Sequence, residues 1–165
     1  MPFRVIERFA KPKAPDTEME DAIAVTSDFC AVFDGATSKA NQSTISGHTT
    51  GRQAVEILSK AICNLPPESS VSQCGNFLTA SVNDFYRQNA LCELIRNQPE
   101  RKLTASAVIY SVRKNEVWFF GDCQCRINNQ TYKNGKNIDT VLASVRCDIL
   151  NYLIRHGHQT ETLRL

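Results

Sequence analysis

Two apolar runs, residues 22–26 (AIAVT) and 29–33 (FCAVF), are separated only by Ser27 and Asp28. This spacing predicts a β-hairpin with a tight loop. Ser-Asp is not among the preferred loop pairs, so the turn type stays open. A turn centred between those two residues sets Asp21 opposite Asp34 and Glu20 opposite Gly35. Directly opposed side chains lie about 5 Å apart. Glu20, Asp21 and Asp34 are therefore expected to converge at the open end of the hairpin.

The rest of the chain alternates between strand-like and helix-like blocks, with no internal repeat. Residues 3–9 fit an edge strand, and residues 11–16, with Pro12 and Pro15, a loop. Residues 47–65 carry Ala54, Ile57, Leu58, Ala61 and Ile62 at helical spacing, and Pro66 and Pro67 end the run. A second helix is predicted over 72–95, with Phe77, Leu78, Val82, Phe85, Leu91 and Leu94 in its stripe. Residues 105–112 and 116–121 predict a second hairpin, and 124–133 a further strand pair turning near Asn128 and Asn129. Asp139 is placed to cap a last helix carrying Val141, Leu142, Val145, Ile149, Leu150 and Leu153, with Gly157 as its stop. The last eight residues carry no stop signal and read as chain leading onward. The mixture predicts an α+β fold.

At 165 residues the chain is read as a single domain spanning 1–165. Its 42% hydrophobic and 22% charged residues are ordinary globular usage. A net charge of +2, with no clustered basic stripe, gives no case for nucleic acid. No apolar run approaches the ~20 residues that span a bilayer. The charged N-terminus lacks the apolar core of a signal peptide. A cytoplasmic protein with no membrane association and no obligate partner is expected. The seven cysteines are odd in number and scattered, with only Cys123 and Cys125 close together. Reduced thiols fit this better than a disulfide framework or a zinc site.

The acidic residues carry the chemistry. Like charges held close usually have a counter-charge, and oxygen-only ligands favour a hard divalent cation such as Mg²⁺ or Mn²⁺. Gly35 lets the backbone approach closely, so its carbonyl is a further candidate ligand. Residues 116–120 run into Gly121-Asp122, again an aspartate at a strand end. A plainer reading stands beside this one, because acidic residues at strand ends commonly cap turns. His48, His156 and His158 read as surface or cap residues. Thr104 and Ser106 read as strand residues, and Trp118 as a core residue.

Residues 18–35 (EMEDAIAVTSDFCAVFDG) resemble the opening motif of type 2C (PPM-type) metal-dependent protein phosphatases. That motif is a Glu-Asp pair, a strand, and a second strand ending in Asp-Gly. Residues 103–122 (LTASAVIYSVRKNEVWFFGD) resemble that family's Ser-Thr-Ala strand, turn and Gly-Asp strand. The resemblance implies an antiparallel β-sandwich flanked by helices in four α-β-β-α layers. It also implies a serine/threonine phosphatase acting on phosphoprotein substrates with two Mn²⁺ or Mg²⁺ ions. Asp34 would bridge both ions, Glu20 would bind one, and Gly35 would offer its carbonyl. Asp21 would hold metal-bound water, and Asp122 would sit by a further metal position. Glu20 and Asp34 are thus the expected catalytic residues.

The sequence departs from that pattern in several places. Asp16 stands where the family often has a phosphate-gripping arginine, for which Lys11, Lys13 or Lys39 are the available substitutes. Ala36, followed by Thr37, Ser38 and Lys39, stands where many members have histidine. After Asp122 only Asp139 and Asp148 remain, neither in the context of the family's downstream metal ligands. The expected fold is therefore incomplete, with a sheet lacking strands and apolar surface exposed. A non-catalytic binding relative and an inactive piece of a longer phosphatase are the competing readings.

Overall fold

The expected hairpin forms in the expected register. β1 (Asp21–Val25) pairs antiparallel with β2 (Phe29–Ala36), with Asp21 opposite Asp34 and Val25 opposite Cys30. The computed structural model describes residues 3–12, 14–37, 47–134 and 137–156. Thr26 closes the turn. Its hydroxyl accepts from the Asp28 and Phe29 amides at 3.2 and 2.9 Å, and its own amide donates to the Phe29 carbonyl at 2.8 Å. A threonine hydroxyl thereby does what the Ser-Asp pair lacks the backbone preference to do.

β2 runs on to Ala36 because a third strand holds its other side. β3 (Thr104–Ser111) pairs with β2, and β4 (Glu116–Phe120) pairs with β3, giving one antiparallel sheet ordered β1-β2-β3-β4. Side chains alternate across a strand. Along β2, Phe29, Ala31, Phe33 and Gly35 are buried, while Val32, Asp34 and Ala36 are exposed. The buried face meets α1 (Thr50–Ile62) and α2 (Val71–Gln88) in a core that includes Phe29, Phe33, Val55, Ile62, Ile109 and Trp118. Trp118 is a core residue, as expected. Its ring tilts against Phe29 at 6.0 Å, and its Nε1 donates to Glu116 at 2.8 Å.

Both helices are capped by the residue before them. The Thr49 hydroxyl accepts from the Arg52 amide at 3.1 Å. Ser70 and Gln73 form a reciprocal capping box at 3.3 and 2.8 Å.

The single helix predicted over 72–95 is broken. α2 ends at Gln88, Ala90 takes a left-handed φ of 53°, and a short helix α3 (Cys92–Asn97) follows. The Leu91 amide donates back to Tyr86 and the Asn89 side chain to Phe85, both at 2.8 Å. The break gives Ile95 a place beside Tyr86 and Leu103, in a second apolar cluster. Tertiary packing overrides the helical periodicity here.

Residues 3–9 do not form the expected strand. They are irregular, with Ile6 and Phe9 strongly exposed and only Phe3 resting edge-on against Tyr110 at 6.4 Å. The partial alternation there has no second surface on which to bury a face. The strand pair over 124–133 does form, as β5 (Gln124–Ile127) and β6 (Gln130–Lys133). Asn128 and Asn129 both adopt positive φ, 48° and 67°. That is the two-residue turn asparagine tolerates and strand twist prefers.

The fold is thus α+β, with a four-stranded antiparallel sheet, α1 and α2 on one of its faces, and a separate two-stranded hairpin. The chain divides into two compact units, Met1–Asn134 and Gly135–Leu165. The second contains α4 (Asn137–Arg155), which begins upstream of the expected cap residue Asp139. Val141, Val145, Ile149 and Tyr152 are exposed along it. Gly157 and the final eight residues lie outside the described residues.

Candidate functional site

The two sequence blocks meet at one end of the four-stranded sheet. Register places Asp21 beside Asp34, and Asp34 beside Ser106 on the next strand. Directly paired residues share a face, so these three form a row on the side away from α1. The Ser106 hydroxyl donates to Asp122 Oδ1 at 2.5 Å. This brings the aspartate after β4 to the same row.

Gly121 makes that contact possible. It has a φ of 83°, and a Cβ there would fall 2.5 Å from Ser106 Oγ. The turn is also held by the Asn134 side chain, which donates to the Gly121 carbonyl at 3.1 Å.

Glu20 is placed differently. Its carbonyl accepts from the Gly35 amide at 3.0 Å, so the expected Glu20–Gly35 pairing is present at the backbone. Its carboxyl carbon lies against Gly51 in the first turn of α1. Period-two alternation explains the split. Neighbouring residues point to opposite faces, so Asp21 joins Asp34 while Glu20 turns toward the helix. Gly35 and Gly51 pack backbone to backbone, and a Cβ on Gly35 would come within 2.3 Å of the Gly51 carbonyl oxygen. Gly35 is buried by this contact.

A second acidic tie flanks the site. The Glu18 carboxylate accepts from the Thr49 amide at 2.9 Å and pairs with the His48 ring. Burial acts to raise the pKa of Glu18. The Thr49 amide, His48 and the charge of Arg52 outweigh it and hold the carboxyl below its ordinary 4.5. Arg52 also donates to the Met19 carbonyl at 3.3 Å and pairs with Glu56 at 2.9 Å. The segment before β1 is thus fastened to the start of α1 by polar contacts. His48, expected as a surface or cap residue, stands one residue before the cap Thr49 and pairs with Glu18 instead.

The sequence pattern marks Ser106 only as a strand residue and gives no sign of its tie to Asp122. Pairing the two hairpins with each other would have set Ser106 beside Asp34, but no local signal fixes that pairing. Lys11 and Asp16 are exposed; Lys13, Lys39 and Ser38 lie outside the described residues, as does the Asp139 side chain.

The donors are hard oxygens of the kind that suit Mg²⁺ or Mn²⁺. Their number falls short, since among the described residues no group of three or more His, Cys, Asp or Glu side chains is arranged to hold a metal ion. Among the same residues, no helix is long and apolar enough to cross a membrane. No family model, no curated protein and no solved structure matches the chain.

Proposed function

We propose that this chain is a PPM-type, phosphatase-like protein whose acidic row serves divalent-cation-dependent hydrolysis of phosphoserine and phosphothreonine in protein substrates. The observation that carries the reading is the row itself. Asp21, Asp34 and Asp122 come from two distant sequence blocks and are brought to one sheet end through Ser106. The four-layer fold belongs to the same proposal, with the four-stranded sheet, α1 and α2 as one half of it. Asp34, with Asp21 and Asp122 beside it, is the proposed ligand set of the row; Glu20 and the Gly35 carbonyl, expected as ligands, face Gly51 on the helix side instead. A Mn²⁺ or Mg²⁺ ion held there would supply an activated water and neutralise phosphate charge, and it needs oxygen donors beyond those the described residues bring together.

A second reading is favoured by how the carboxylates are used. Asp122 engages Ser106, Glu18 engages Thr49 and His48, and Glu20 is set against α1. In this reading the acids are structural ties, and the protein binds a partner without turnover. Loss of the free Mn²⁺ paramagnetic resonance signal on adding protein separates the two. The first reading predicts uptake that Asp34→Asn removes. Uptake that is absent, or unaltered in Asp34→Asn, leaves the second.

A further inference from the structure

The apolar core is divided. Phe33, Leu58 and Leu78 belong to one cluster, Tyr86, Ile95 and Leu103 to another, and Val82 and Ala105 touch both. Along this seam lies a cavity of about 810 Å³, walled by α2, α3 and the start of β3. Protein interiors are packed as densely as organic crystals, with few voids larger than a water molecule. This space is partly open to solvent rather than sealed in the core. A space this large falls instead within the ~300–1,000 Å³ typical of small-molecule sites.

Its origin is visible in α2. The helix comes close to the sheet at Gly75, where a Cβ would stand 3.1 Å from the Phe120 ring. Further along, Leu78, Val82 and Tyr86 form one wall of the cavity. Tyr86 is anchored by the Leu103 amide, which donates to its hydroxyl at 2.7 Å.

The mouth is chemically one-sided. Arg96 and Lys102 line it, both side chains are in exposed residues, and no aspartate or glutamate does. Among the described residues neither cation makes an ion pair. An apolar interior lined by two exposed cations that make no ion pair among the described residues is complementary to a molecule with an apolar body and an anionic head.

We propose that this cavity binds a small amphiphilic carboxylate, its chain lying along the seam and its head group held by Arg96 and Lys102. This site is separate from the acidic row and does not depend on the function proposed for it.

Calorimetric titration of the full chain with sodium decanoate tests the assignment, with decanol and decyltrimethylammonium as matched neutral and cationic chains. Saturable binding of decanoate is expected, tighter than that of either companion. Charge-assisted contacts of this kind are worth about tenfold or more in affinity. Reversing both charges, Arg96→Glu with Lys102→Glu, should weaken decanoate by at least that factor and leave decanol unchanged. Val82→Trp, which fills the seam, should abolish both. If that variant does not fold, the charge-reversed protein decides the matter alone, since its changes lie at exposed positions. Absence of saturable decanoate binding overturns the proposal. So does equal binding of the cationic chain, or decanoate affinity untouched by charge reversal.

Discussion

At the scale of single residues, small groups set in tight places do most of the positioning. Gly121 combines a left-handed φ with a side that faces Ser106 at less than contact distance. Gly121→Ala should therefore destabilise the protein by about 2 kcal/mol, combining backbone strain and overlap. A urea melt would report this as a lowered midpoint. Glu18 works through charge. Its pKa is lowered in the folded state, so its stabilising contribution is present above the ordinary value of 4.5 and is lost as pH falls through the lowered one. Glu18→Gln should lower the urea midpoint at neutral pH, and the gap to wild type should shrink on acidification. A constant gap across the acid range would show that the tie to Thr49 and His48 is not electrostatic.

At the scale of elements, legibility followed how local each signal is. The first hairpin and its register could be read from two apolar runs and the two residues between them. The turn at Asn128 and Asn129 could be read from asparagine's tolerance of positive φ. The break between α2 and α3 could not, because the apolar stripe continues through it. What ends α2 is the chance for Ile95 to pack beside Tyr86 and Leu103, a contact distant in sequence. Residues 3–9 misled in the opposite direction, with a strand-like pattern that finds no partner strand. Helix entry is better encoded. Thr49 and Ser70 accept from the Arg52 and Gln73 amides. Thr49→Ala and Ser70→Ala should each cost about 1 kcal/mol in chemical denaturation. Because the caps share no partner, the double variant should cost the sum.

At the scale of the whole molecule, the sheet has one face buried under α1 and α2, and the acidic row sits at the end of the other. Asp21, Asp34, Gly35 and Asp122 were legible as candidates because each stands at a strand end next to another acid or a glycine. Their assembly was only partly legible. Alternation sends Glu20 to the helix side, away from the row where Asp21 and Asp34 lie, and the approach of Asp122 runs through Ser106. The core offers its own probe. Cys74 is fully buried, and burial pushes its thiol up to about 11, so it should resist thiol reagents until the first unit unfolds globally. Exposed Cys63, Cys92 and Cys147 should react at once. Early modification of Cys74 by mass spectrometry would mean that α2 opens locally.

The proposed phosphatase site is the row joining Asp21, Asp34, Ser106 and Asp122. Its most direct test is phosphate release from a simple aryl phosphate with excess Mn²⁺, run on the wild type beside Asp34→Asn. Release is expected from the wild type, abolished by EDTA and reduced by at least about a hundredfold in Asp34→Asn, as when a group acting on the reacting centre is lost. Release that survives both EDTA and Asp34→Asn, or none from either protein, would contradict it.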